Sequence, residues 1–146
     1  EKPSNGNVGV AMSDLNSEKN RFVWMDIPVD DLDRACAFYE GVLGVSCHRE
    51  SFGDVHFAVL EHQDGNGGCL VPREGEKAVS SSGKSCKGVP LVYLNCDGRI
   101  REASAKVTEL GGKVLLDVHS IGPHGFRVLI EDSEGNYFAL HSNTDA

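Results

Sequence analysis

The hydrophobic pattern changes period once between Val23 and Gly44. Val23, Met25 and Ile27 alternate with Trp24, Asp26 and Pro28, which predicts a half-buried strand. Beyond Asp30 and Asp31 the apolar positions become Ala35, Phe38, Tyr39, Val42 and Leu43, a helical spacing. Asp30 or Asp31 is placed to cap that helix, and Asp33 adds negative charge to its first turn. Gly44 stands where a left-handed terminal residue costs least.

The same order recurs between Leu91 and Gly112. Laid over the first stretch without a gap, Asp30 falls on Asp97, Arg34 on Arg101, Leu43 on Leu110 and Gly44 on Gly111. The identities are few, and the shared grammar of strand, acidic turn, amphipathic helix and glycine carries the match. Two copies make a duplicated module rather than a solenoid. Phe38 and Tyr39 in the first helix and Val107 and Leu110 in the second are expected in the core.

The remaining pattern completes two equal units. Residues 45–50, 55–61 and 68–71 predict three strands, with a hairpin signal at Asp64-Gly65-Asn66-Gly67. Residues 113–118, 126–131 and 137–141 predict three more around the turn Asp132 to Asn136. The turn glycines Gly65 and Gly135 are 70 positions apart, three more than Gly44 and Gly111. The extra residues fall in Ser120-Ile121-Gly122-Pro123-His124-Gly125, where His119 and His124 flank either a lid or a polar turn, and the turn is favoured. The expected fold class is α+β, with βαβββ modules at 21–73 and 90–142 joined into one domain by a Ser/Gly/Lys linker, 74–89. Residues 1–20 read as a disordered leader or an expression remnant.

Composition narrows the class of partner. The 146 residues carry a net charge of −8, which speaks against nucleic acid and anionic membranes and suits a cationic ligand. No apolar run approaches a bilayer span. The five cysteines, Cys36, Cys47, Cys69, Cys86 and Cys96, form no C-x-x-C pair and are expected as reduced thiols in a cytoplasmic protein. The six histidines show no H-E-x-x-H or H-x-x-x-H spacing.

The phrases D-L-D-R-A-C-A-F-Y-E-G-V-L-G in the first unit and E-D-S-E-G-N-Y-F-A-L-H in the second resemble the vicinal oxygen chelate superfamily, which includes glyoxalase I, bleomycin-resistance proteins and extradiol dioxygenases. The resemblance spans Phe22 to Ser142. It implies a mixed sheet curled around a cleft with helices outside, and a homodimer. It also implies four ligands for a divalent metal, at the positions held here by Trp24, Cys69 (or Leu70 if the hairpin slips by one), Leu91 and Ala139. Trp, Leu and Ala offer such an ion no donor, and a lone Cys makes no site. No cofactor is therefore expected, although Asp26, Tyr93 and His141, each two residues further along, leave a displaced metal site open.

The predicted ligand-binding cleft comprises Trp24, Asp26, Cys69, Leu91, Tyr93, Arg127, Ala139 and His141. Trp24 is either a stacking platform for a planar or cationic ligand or a filler of the space a metal would take. Tyr93 needs a hydrogen-bond partner, and structural use is favoured over a ligand contact. Cys69 is expected as an inert buried thiol. Asp26, inward on a strand, needs pairing or water, and so binds a cation or acts as a base. Arg127 partners Asp26 or a ligand anion. Three functions follow: a bleomycin-resistance-like protein that binds a small cationic or aromatic molecule without metal; a glyoxalase-like lyase or isomerase, or a dioxygenase-related enzyme, either metal-independent with Asp26 or His141 as base or with displaced metal ligands; or a degenerate scaffold with Trp24 packed on Leu91. The first is favoured, with catalysis left undecided.

Overall fold

Asp31 starts the first helix, α1 (Leu32–Leu43), by accepting the Arg34 N–H at 3.0 Å. Gly44 ends it at φ 70°, with its N–H on the Glu40 carbonyl. The second helix, α2 (Ile100–Glu109), has no side-chain cap, because its N-cap residue is Arg99, whose side chain offers no acceptor. Asp97 instead accepts from the Asn143 N–H at 2.7 Å and from the Ser142 hydroxyl at 3.3 Å, tying the end of the last strand to the start of α2.

The computed structural model describes residues 20–73 and 89–146. Apart from Asn20 and Val89, the predicted leader and linker lie outside the described residues, as does Cys86. The strands are β1 (Phe22–Val29), β2 (Cys47–Phe52), β3 (Val55–Leu60), β4 (Gly67–Pro72), β5 (Leu91–Asn95), β6 (Lys113–Ser120), β7 (Phe126–Glu131) and β8 (Tyr137–Ser142). They form one open mixed sheet in the order β2-β3-β4-β1-β5-β8-β7-β6. The pairs β1/β4 and β5/β8 are parallel, and the modules join through the antiparallel pair β1/β5. The two βαβββ modules expected from the sequence are thus observed. β2 starts two residues later than the pattern predicts: Glu61 and Glu40 side chains take the Ser46 and Cys47 N–H groups at the strand entry.

At the junction Met25 pairs with Val92, its own counterpart in the repeat. A local two-fold axis therefore passes between them. On the outer face Val29, Ala58 and Leu70 pack under α1, while Val128, Ile130 and Leu140 pack under α2. On the concave face Trp24, Val59, Cys69, Leu91, Tyr93, Leu129 and Ala139 form one buried cluster. Val23 joins that cluster beside a register shift in β1, so Val23 and Trp24 are both buried and simple alternation fails there.

Two further expectations are corrected. Phe38 is 58% exposed and Leu110 72% exposed, so neither is core. The helices touch the sheet along a narrow stripe, Leu32, Ala35, Cys36 and Tyr39 in α1 and Ile100, Ala103 and Val107 in α2; Phe38 falls outside it, and Leu110 caps the end of α2.

The β6–β7 loop, with a short 3-10 turn at Gly122–His124, bridges the two ends of the sheet. β2 and β6 are the outermost strands, yet His124 Nε2 lies 3.7 Å from Glu50 Oε1 on β2. The His124 ring meets Phe57 on β3 edge-on at 6.5 Å, and Gly122 lies against the Phe52 ring, where a Cβ would approach to 2.9 Å. The sheet is therefore curled enough for one loop to strap its edges together. The inserted residues form this strap rather than a free polar turn. Among the described residues no helix is long and apolar enough to cross a membrane.

Candidate functional site

The two-fold axis brings two repeat-related side chains together. Asp26 and Tyr93 are counterparts 67 residues apart, on neighbouring antiparallel strands and on the same face. The Tyr93 hydroxyl donates to Asp26 Oδ2 at 2.8 Å. Cys69 is the parallel-strand neighbour of Asp26, and its thiol donates to Oδ1 at 3.2 Å. Arg127 reaches the same point from β7: Nη1 donates to the Tyr93 oxygen at 2.8 Å and lies 3.9 Å from Asp26 Oδ2.

The network extends one step further. Arg127 Nε donates to His119 Nε2 at 3.0 Å, so that nitrogen is the acceptor. The ring proton of His119 then sits on Nδ1, which donates to the Asp117 carbonyl at 2.7 Å. His119 Nδ1, Arg127 Nε and Nη1, the Tyr93 hydroxyl and the Cys69 thiol each donate to an acceptor, and the chain terminates at the Asp26 carboxylate. Sequence reasoning placed Asp26, Tyr93 and Arg127 here but missed His119, whose contact depends on the register of β6 against β7.

Burial governs the proton affinities. It raises the Asp26 carboxyl above 3.8, more than the Arg127 charge and the hydrogen bonds from Tyr93, Cys69 and Trp24 lower it. Burial, and next the Asp26 charge, push the Cys69 thiol and the Tyr93 phenol well above their usual values. Both therefore stay protonated and act as donors at neutral pH. Burial lowers His119 and His141 below 6.5. His141 is fully enclosed, with Nε2 on the His124 carbonyl at 2.7 Å, so it pins the strap and sits beside the Tyr93 ring rather than joining the network.

The remaining predicted residues are apolar walls. Leu91 and Ala139 are buried in the concave cluster. Trp24 is 7% exposed, and its ring stands edge-on to His62 at 5.7 Å. His62 in turn bonds the Gly65 carbonyl and covers Gly67, where a Cβ would clash with its ring.

The four positions implied for metal ligands, Trp24, Cys69, Leu91 and Ala139, all fall in this one cluster. Three carry no donor, and the fourth spends its thiol on Asp26. The displaced set does not fit a divalent cation either. Both Asp26 oxygens are taken, and a guanidinium lies beside them. Among the described residues no group of three or more His, Cys, Asp or Glu side chains converges on a point. The arrangement can instead hold a charge pair on an otherwise apolar face. A groove of about 600 Å³, lined by Phe22, Trp24, Met25, Val92 and Phe138, carries no acid, thiol or histidine.

Comparison with known proteins places this geometry. A family model, the Glyoxalase/Bleomycin resistance protein/Dioxygenase superfamily, matches residues 21–140. A glyoxylase-like domain-containing protein of Didymella fabae is 31% identical over 118 residues, covering 80% of this chain and 88% of that protein. A Mycobacterium bovis protein provisionally described as a glyoxylase is 28% identical over 131 residues, and the match covers 86% of this chain but 45% of that relative. Among solved structures, methylmalonyl-CoA epimerase from Mycobacterium tuberculosis has a TM-score of 0.63 at 18% identity, covering 92% of each chain. A hypothetical protein from Bacillus halodurans C-125 has a TM-score of 0.66 at 14% identity, covering 88% of this chain and 98% of that one. At these identities the structures share the fold.

Proposed function

The chain belongs to the glyoxalase/bleomycin resistance protein/dioxygenase superfamily, and from that premise we propose that it binds a small organic molecule against the concave face without a resident divalent metal. The observation that carries this reading is the donor set. The ligand positions hold Trp24, Leu91 and Ala139, and the polar groups next along the strands satisfy one another around Arg127. An apolar face with a few convergent polar groups is the usual make-up of a small-molecule site. In this respect the protein is like the bleomycin-resistance members, which hold a ligand without metal chemistry.

The test is elemental analysis of the purified protein, with zinc, nickel and manganese titrated against its thermal midpoint. Neither bound metal nor a shift is expected. A stoichiometric metal, or a midpoint rising with added metal, overturns the reading, because any ion bound by the native state must stabilise it.

One observation favours a second reading, an isomerase or lyase. Asp26 is a partly solvent-touched carboxylate whose proton affinity burial has raised, as a general base requires. Deuterium uptake from solvent at the α-carbon of a carbonyl ligand, abolished in Asp26→Asn, would support it. Binding without exchange would leave the protein a binder.

A further inference from the structure

The Arg127 guanidinium is pinned on two nitrogens and open on the third. Nε is held by His119 and Nη1 by Tyr93, while among the described residues Nη2 donates to nothing. Nη2 is also absent from the buried unpaired atoms, so it reaches accessible space. Exposure locates that space. The Arg127 side chain is 18% exposed and that of Asp26 19%, whereas Leu129 and Ala139 beside them are sealed. The exposed part of the concave face therefore lies over the charge pair.

We infer that Arg127 Nη2 is the anchor for an oxyanion, and that the ligand of this cleft is a small organic carboxylate. The inference rests on the proposed use of the concave face. A guanidinium makes strong, charge-assisted hydrogen bonds to carboxylate oxygens. This one is already held in place, so little side-chain freedom remains to be lost on binding. No internal hydrogen bond need break for the Nη2 hydrogens to be used. Asp26 lies on the Nη1 side, away from the open edge.

A cation fits the site less well. Both Asp26 oxygens already accept hydrogen bonds, and an incoming cation would displace Tyr93 or Cys69 and sit next to Arg127. The net charge of −8 acts over a distance that physiological salt screens within about 8 Å, so it does not decide a contact made inside the cleft.

Trp24 is the only tryptophan of the chain and stands on the concave face, so its emission reports on this site. Three probes of nearly equal shape separate the chemistries: benzoate, neutral benzamide and cationic benzamidinium. Each is titrated against the wild type, Arg127→Gln and Arg127→Lys, with circular dichroism and thermal midpoints checking the fold. Benzoate is expected to change Trp24 emission saturably, with the other two at least about tenfold weaker. Arg127→Gln is expected to abolish the response. Should that variant fail to fold, Arg127→Lys keeps the charge beside Asp26, lacks the second nitrogen, and is expected to weaken benzoate by about tenfold or more. Benzoate affinity unchanged in a folded Arg127→Lys overturns the anchor. Benzamide or benzamidinium binding in place of benzoate also overturns it but leaves the concave face as a ligand cleft. Silence from all three probes removes both.

Discussion

Replacing Tyr93 by Phe removes one oxygen from the centre of the network. That oxygen accepts from Arg127 Nη1 and donates to Asp26 Oδ2, both at 2.8 Å. Hydrogen bonds to charged groups contribute about 1.5–3 kcal/mol each. Their loss is partly offset, because Arg127 Nη1 and Asp26 Oδ2 are 3.9 Å apart and a small movement pairs them directly. We expect a net cost of about 1.5–3 kcal/mol, roughly a 4–10 °C fall in thermal midpoint for a chain of this length.

The cost must also depend on pH. The Tyr93 hydroxyl lowers the Asp26 pKa, so its loss raises that pKa further in the folded variant. The deficit is then full where Asp26 is ionised in both proteins and shrinks as pH falls and both become protonated. Urea unfolding followed by Trp24 emission, near pH 8 and near pH 4, measures this directly. A deficit equal at the two pH values, or no deficit at neutral pH, would refute the account of the network.

Three further outcomes follow from the same structure. His119 and His141 are held neutral by burial, with folded pKa values below 6.5, so stability is lost as pH falls through the unfolded value of about 6.5. Asp26, raised, works in the opposite sense above 3.8, so His119→Gln, which keeps an acceptor for Arg127 Nε, isolates the histidine contribution; an unaltered slope of thermal midpoint against pH would count against it. Asp31→Ala removes the α1 cap and should cost about 1 kcal/mol in urea unfolding, while no change would mean that water replaces the bond to Arg34 without loss. Iodoacetamide should alkylate Cys69 at least about tenfold more slowly than a free cysteine, because its thiol is buried and its pKa raised; peptide mapping that finds it labelled at the free rate would contradict the burial.

Several features were legible from order alone. The change of period at Asp30-Asp31, the capping acid and the terminal Gly44 are local matters, settled by neighbours within one turn of helix. The duplication was legible too, and with it the equivalence of Asp26 and Tyr93 and the lack of donors at Trp24, Leu91 and Ala139.

The rest depended on how the strands met. Pairing Met25 with its own counterpart Val92 put the two-fold axis between them and so turned an equivalence into a hydrogen bond. The register of β6 on β7 put His119 behind Arg127, and the curl of the sheet brought Glu50 and Phe52 at one edge against the strap from the other. The exposure of Phe38 followed from how narrow a stripe of α1 the curved sheet covers, and that of Leu110 from α2 ending one residue before it. Such contacts join residues far apart in the chain, and neither periodicity nor spacing encodes the register, curl or packing angle that makes them.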